Sequence, residues 1–355
     1  MSGRRHISAT LTDANGRWIP IDGDQLGRLR VLSGSFDGSR SAALRWSGKL
    51  SVLNSEPPGG WGRYMIRIRV VITEEDGTWA SHDHGLYIPS TDVAARPGQP
   101  VNLELYSPLL RLQDYATPNI VSLAKGVPIL PAAWLYATEA GVMSTIGLDA
   151  PDRMALTLRE NKMWPPGTAH LALVNDLLAT AGWMAAEADP STGWISAQPW
   201  VPPSRRPVVH TFEAGEAAIH DAGWQVEQDL FDVPNRMICM TSGGAQEALV
   251  AVADNTDPAS PTSIPSRGGR VKAATEQHEA ASQAALQAIA NRRINEASQA
   301  VRTIPLKHLW TPGVTLGAVV RVNLEGINEL AVVEKQRIDA DGTELVESTV
   351  RVVVS

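Results

Sequence analysis

The stretch Met65-Ile-Arg-Ile-Arg-Val-Val-Ile-Thr73 decides the fold class, because its apolar side chains dominate a run of strand length bounded by a turn. Glu74-Glu-Asp-Gly77 supplies that turn, and Thr78–Ser81 begins a return strand. Arg63, Arg67 and Arg69 are separated by even numbers of residues, so in a strand their side chains point to the same side. We expect this side to be solvated or to face a partner. The stretch predicts a β-hairpin.

Short strands separated by turns continue on both sides of this hairpin. The predicted strands are Ile7–Leu11, Leu26–Leu32, Ala43–Leu53, Met65–Thr73, Leu86–Pro89 and Val101–Tyr106. This spacing is typical of a small antiparallel barrel or sandwich. We therefore expect an N-terminal β-barrel domain over residues 1–116.

The pattern changes after Ser107, and residues 117–205 predict an α+β middle domain. Ala132–Ala140 indicates a helix that ends at Gly141. A second helix, with Thr168 as its N-cap, carries apolar residues at helical spacing and ends at Gly182. A hairpin over residues 183–199 follows, and the proline-rich segment 199–207 predicts a stiff crossing.

Residues 206–355 predict a second β-rich domain with an insertion at about 246–302, formed by a polar loop at Asn255–Ser263 and a long helix. The helix is predicted over about Ala273–Val301, where neither glycine nor proline occurs. Its predicted apolar stripe consists of Leu286, Ala290, Ile294, Ala297 and Val301. The predicted strands are Val208–Phe212, Gly223–Leu230, Asn235–Thr241, Ala248–Asp254, Thr303–Leu309, Ala318–Asn323, Ala331–Asp339 and Leu345–Val354, with a turn at Asp339–Thr343. The fold class is α+β, mostly β. No repeat is strict enough to align by eye, although the two β blocks have comparable strand counts.

Composition narrows the function. A net charge of -7 gives no basic footprint for specific nucleic-acid binding. The single cysteine, Cys239, lies in an apolar run, which favours packing over chemistry. No apolar run is long enough to cross a membrane, and the first residues lack the apolar core of a signal peptide. We therefore expect no membrane insertion and folding in a cytosol-like compartment.

Few residues are candidates for catalysis or metal binding. His82-Asp-His84 is the best metal-like pattern, but a zinc site needs a third protein ligand, so a surface strand is the stronger interpretation. The acidic groups at Glu74–Asp76 and at Glu213 and Glu216 suit turns and loops. We expect no catalytic residue, no metal and no cofactor. A cell-wall (peptidoglycan) hydrolase with two convergent carboxylates, and a receptor- or glycan-binding module using the eleven tryptophans, are the alternatives.

Several segments together resemble the minor tail proteins of siphophages that infect actinobacteria. The most specific are Leu230-Phe-Asp-Val-Pro-Asn-Arg236 and Asn255-Thr-Asp-Pro-Ala-Ser-Pro-Thr-Ser263, which precede the helix rich in Ala, Gln and Glu. The others are Leu109-Leu-Arg-Leu-Gln-Asp114, Leu173-Val-Asn-Asp-Leu-Leu178 with Ala181-Gly-Trp183, and Gln198-Pro-Trp-Val-Pro-Pro203. The resemblance covers residues 105–355.

The resemblance implies the hub of a phage tail tip or baseplate, with two related β-barrels per chain. Three chains would form a homotrimeric ring with sixfold-like inner symmetry that lines the channel for DNA and the tape-measure protein. The implied neighbours are the distal tail protein ring, the tape-measure protein, and tail-tip spike or fibre proteins. The expected location is the virion tail tip, after assembly in the host cytoplasm. The candidate assembly-interface residues are Asp232, Pro234, Asn235, Arg236, Asp257, Arg292 and Arg293.

Overall fold

The computed structural model describes residues 4–14, 16–90, 98–148, 154–214, 220, 227–228, 231–241, 249–278, 283–297, 302–324, 326–340 and 345–353. Strands dominate, and four α-helices occur in the described part of the chain. No helix among these residues is long and apolar enough to cross a membrane. The predicted class, α+β with mostly β structure, is confirmed.

The N-terminal block is an antiparallel sheet of six strands: β1 (Arg4–Thr12), β2 (Val31–Ser39), β3 (Trp46–Val52), β4 (Met65–Thr73), β5 (Trp79–Pro89) and β6 (Val101–Tyr106). They lie in the order β1-β4-β5-β6-β3-β2. The predicted hairpin is confirmed, because β4 pairs with β5 and places Thr73 opposite Trp79. Alternation along each strand sends one set of apolar side chains into a common core. That core contains Leu11, Phe36, Leu50, Trp61, Ile66, Ile68, Tyr87, Val101, Leu103 and Leu105.

The predicted strand Leu26–Leu32 is wrong, since β2 begins only at Val31. Turns occupy the preceding residues. Asp24 Oδ1 accepts a hydrogen bond from the Leu26 backbone N–H at 2.8 Å, and Gly27 adopts a φ of 64°. A side chain at Gly27 would place its Cβ 2.4 Å from the Ile19 carbonyl oxygen, so close backbone approach requires glycine there.

The middle unit contains three helices and two two-stranded ribbons: α1 (Leu109–Asp114), β7 (Val121–Leu123), α2 (Ile129–Glu139), β8 (Lys162–Trp164), α3 (His170–Thr180), β9 (Glu187–Ala188) and β10 (Ile195–Ser196). Gly141 and Gly182 follow α2 and α3 with positive φ, which confirms both predicted helix ends. The predicted N-cap of α3 is wrong, because Ala169 occupies that position. Thr168 instead donates its hydroxyl to the Pro165 carbonyl at 2.7 Å.

The remaining elements are β11 (Val208–Glu213), β12 (Glu227–Gln228), β13 (Arg236–Met240), β14 (Val250–Asp254), β15 (Ala273–Gln277), α4 (Gln283–Ala297), β16 (Arg302–Leu309), β17 (Val319–Leu324), β18 (Ile327–Asp339) and β19 (Leu345–Val352). Two groups form. The C-terminal block comprises β11, β12 and β16–β19, and the small module comprises β13–β15 with α4.

The predicted long helix is wrong in its first part. Ala273–Gln277 forms β15, which pairs parallel to β13, and α4 begins only at Gln283. Backbone pairing with β13 overrides the helix preference of the Ala- and Gln-rich sequence. Part of the predicted strand Gly223–Leu230, most of the turn after Asp339, and Val301 lie outside the described residues.

The two blocks share one strand order. The C-terminal block follows β11-β17-β18-β19-β16-β12, so its six strands, numbered by chain position within the block, run 1-4-5-6-3-2. The N-terminal block runs 1-4-5-6-3-2 as well. One pairing differs, because β1 is antiparallel to β4 whereas β11 is parallel to β17. Within the described residues, neither block closes into a complete barrel.

A single strand pairing joins the blocks into one sheet. Ser35–Ser39 of β2 lie antiparallel to Lys335–Asp339 of β18. The cores meet at this joint, because Trp310, Ile338 and Val346 pack into the apolar cluster of the N-terminal block. The joint fixes how the two blocks sit relative to each other.

Candidate assembly surfaces

Asn235 closes a long loop of the small module. The residue is fully buried, and its side-chain amide donates to the Arg270 carbonyl at 2.9 Å while accepting from the Lys272 backbone N–H at 2.8 Å. The Asn235 carbonyl also accepts from the Asn255 backbone N–H at 2.9 Å. Both ends of the loop 255–272 are therefore held by one side chain and its own backbone.

The loop 255–272 is also ordered from within. The Asn255 amide donates to Ser260 Oγ at 3.0 Å and to Thr262 Oγ1 at 3.2 Å, and Thr262 and Ser263 are fully buried. Asp257, which is exposed, accepts from the Ala259 backbone N–H at 2.9 Å. Because its buried polar groups have hydrogen-bond partners, the loop holds one conformation. The loop therefore presents a preorganised surface.

The charged residues predicted at the interface have partners inside the module. Arg236 makes two 2.7 Å hydrogen bonds to Asp254, and Asp232 accepts from Lys272 Nζ at 3.0 Å. Arg293 binds Glu276 at 2.7 Å, and this guanidinium, together with His278, lowers the pKa of Glu276 to about 2. Such pairs position the loop and α4 on the sheet.

The seven predicted residues therefore lie on one module but not in one patch. Arg236 lies with Asp254 on the sheet face away from α4, whereas Arg293 joins α4 to β15. Arg292 is exposed on α4, and Pro234 is half-buried. Their part in an assembly interface remains a prediction.

Sequence reasoning missed an apolar face on the same module. Met237 and Cys239 point toward α4, so the alternate residues Ile238 and Met240 lie on the opposite face with Val250 and Val252. Val250 is 52% exposed and Val252 is 45% exposed. The signal was present in the sequence, because β13 is apolar at almost every position, which is typical of a strand covered on both faces.

The face of the large sheet opposite its core is polar and crosses the joint between the blocks. One row places Lys307, Glu347, Arg337 and Asp37 on four successive strands. Lys307 binds Glu347 at 2.9 Å, and Arg337 lies 3.5 Å from Asp37. Opposite charges alternate along this row, so neighbouring strands attract each other.

A second row continues the pattern toward β6. It places Asp339, Ser35, Lys49 and Glu104 side by side. The first row borders a groove of about 940 Å³ that is also lined by the turn at residues 41–45. The charged side chains of this polar face in β2, β3, β6, β16, β18 and β19 balance: Lys49, Lys307, Lys335, Arg337 and Arg351 against Asp37, Glu104, Glu334, Asp339 and Glu347.

The His82-Asp-His84 pattern lies at a bulge in β5. Asp83 accepts from Arg69 at 2.9 Å and from Arg67 at 3.4 Å, so these two arginines are half-buried ion-pair partners rather than a fully solvated face. His84 packs among Phe36, Trp46 and Tyr87, and burial lowers its pKa to about 4. The described residues contain no cluster of three metal-ligating groups.

No family model matches the sequence, and no curated protein matches it. Solved structures do match. A tail protein from Neisseria meningitidis MC58 is 15% identical with a TM-score of 0.62, and the match covers 98% of this chain and 96% of that one. The 43 kDa tail protein of prophage MuSo2 from Shewanella oneidensis is 11% identical with a TM-score of 0.57 and 98% coverage of both chains.

A third structure, prophage tail protein gp18 from Listeria monocytogenes, is 10% identical with a TM-score of 0.51 and covers 98% of this chain and 94% of that one. Identities this low carry information on fold alone. Over almost its whole length, the chain has the fold of phage tail proteins.

Proposed function

We propose that this chain is a structural subunit of a phage tail tip, a hub that assembles as a homotrimeric ring. One observation carries the proposal: two blocks of the same strand order lie in one chain and join edge to edge in a continuous sheet. Three such chains supply six similar blocks. A ring of this kind adapts sixfold tail rings above it to threefold components below it.

The polar face of the sheet is proposed to line the channel. It crosses both blocks, and its charges balance, so it offers DNA and the tape-measure protein a solvated wall without the excess of cations that retains nucleic acid. The apolar clusters lie on the other side of the strands. This separation of polar and apolar side chains suits the passage of DNA and the tape-measure protein rather than their tight binding.

The proposed partners are further copies of the chain, the distal tail protein ring, the tape-measure protein, and tail-tip spike or fibre proteins. The preorganised loop 255–272 and the apolar face of the small module are the contact surfaces that the chain offers to them. The proposed location is the virion tail tip, after assembly in the host cytoplasm. The proposed domains are 1–116, 117–205 and 206–355, and the proposed role requires no catalysis.

Mass photometry and sedimentation of the purified chain test the proposal. We expect a species of three times the chain mass of 38.1 kDa, whose share grows with concentration. Electron microscopy of that species should show a ring with six similar lobes around a channel. A chain that stays monomeric at high concentration, with or without its coexpressed tail neighbours, contradicts the proposal.

A further inference from the structure

The joint within the chain uses a defined pair of strands. In the N-terminal block the strand concerned is β2, the second in chain order, and in the C-terminal block it is β18, the fifth. On β18, the residues through Val332 pair with β17, and Lys335–Asp339 along the same edge then pair with β2. In the joint, the second strand of one block therefore lies beside the C-terminal end of the fifth strand of the other block.

Among the described residues, the equivalent strand of each block, β12 in the C-terminal block and β5 in the N-terminal block, has no such partner. β12, the second strand of the C-terminal block, is the last strand of the sheet path, and no described strand pairs with its outer edge. β5, the fifth strand of the N-terminal block, pairs with β4 from Trp79 as far as Tyr87. Ile88 and Pro89 pair with β6 on the opposite edge. Within the part of the chain that the structure describes, one copy of each half of the joint is therefore unused.

We infer that neighbouring copies join through β12 of one copy lying antiparallel beside the end of β5 of the next. The inference rests on the proposed ring and names its contact. The occupant of each open edge is a second copy of this chain, because its other block repeats the strand order that already forms the joint within the chain. Unpaired strand edges also need a cover in soluble proteins.

The contact is heterologous, since β12 and β5 are different surfaces, and heterologous contacts generate rings. Within one chain the two strands are seven strand steps apart along the sheet order, about 34 Å of sheet at ~4.8 Å per step. Three joints inside chains would alternate with three joints between chains. The sixfold-like character of the ring then follows from one type of joint used six times.

Crosslinking between single-cysteine chains tests the contact. Ser90→Cys marks the end of β5 and Gln228→Cys marks β12, both in a Cys239→Ala background that removes the one native thiol. After mixing the two variants and adding a short bismaleimide, we expect a covalent dimer on a denaturing gel. Neither variant alone should give it. A chain that carries both cysteines should give a covalent trimer.

The control replaces Ser90→Cys with Ser122→Cys, an exposed position on β7 of the middle unit, and should give no crosslink with Gln228→Cys. If mass photometry shows trimers but only the control pair crosslinks, or no pair does, the inferred joint is wrong while the proposed hub stands. If the uncrosslinked chains form no trimer at all, the hub proposal itself fails.

Discussion

At the scale of single residues, a network of buried polar side chains in the C-terminal block is stabilised by hydrogen bonds between its members. His308 is fully buried, with Nδ1 donating to the Leu309 carbonyl at 2.8 Å and Nε2 accepting from Ser348 Oγ at 2.9 Å. Gln336 donates to the same hydroxyl oxygen at 3.2 Å. Burial lowers the pKa of His308 to about 4, and His210 and His220 nearby act in the same direction. The imidazole is therefore neutral at pH 7.

This neutral histidine makes stability depend on pH. Its folded-state pKa lies below the ordinary value of 6.5, so the stabilisation is complete above pH 6.5 and is lost as pH falls toward 4. Between pH 7 and 5 we expect His308 to cost the folded state about 2 kcal/mol. Urea unfolding at the two pH values measures it. His308→Gln should lower stability at pH 7 and reduce the pH dependence.

The exposed His6, which lies on β1, provides the matched control for that measurement. His6→Gln should leave both the stability at pH 7 and its change with pH close to those of the parent chain. The assignment is wrong if His308→Gln and the parent chain lose the same free energy between pH 7 and 5.

At the scale of elements, the small module depends on α4 covering one face of its three strands. Leu286, Ala290 and Ile294 belong to the predicted apolar stripe of the helix and are buried against Met237 and Cys239. The stripe was predicted correctly although the start of the helix was not, because helical periodicity is a local property. Gln287 adds a hydrogen bond to the Val252 carbonyl at 2.8 Å.

Leu286→Ala should therefore loosen the module and leave the large sheet intact. Removing a fully buried leucine side chain costs about 2–5 kcal/mol. Hydrogen exchange should become faster in β13, β14 and β15, with unchanged protection in β3 and β18. Asn291→Ala, at an exposed position of the same helix, is the control and should change neither. Faster exchange spread evenly over both sheets would contradict the independence of the module's core.

At the scale of the whole molecule, the joint between β2 and β18 makes two blocks into one surface. Residues about 300 positions apart in the chain, such as Asp37 and Arg337, become neighbours on the polar face. The charges of this face balance, although the chain as a whole carries a net charge of -7. A channel wall for DNA needs local neutrality rather than a particular total charge.

The double substitution Asp37→Lys with Glu347→Lys tests this property. It adds four positive charges per copy to the polar face, so the assembled variant should retain DNA, with an affinity that falls about 100-fold between 50 and 200 mM salt. The parent protein should not bind measurably. The control, Glu74→Lys with Glu75→Lys, adds the same charge at the exposed tip of the hairpin. Equal retention by both double variants would contradict a role for this face as the channel wall.

The sequence by itself determined where most strands and helices lie, because alternation, helical spacing and turn residues act over a few neighbours, as in Met65–Thr73 and Val101–Tyr106. Only the tertiary structure decided the pairing: β2 beside β18, one strand order in both blocks, and Ala273–Gln277 as a strand. Strand alternation specifies which side chains are buried but not which edge accepts the backbone hydrogen bonds, and that edge belongs to residues far away in the chain.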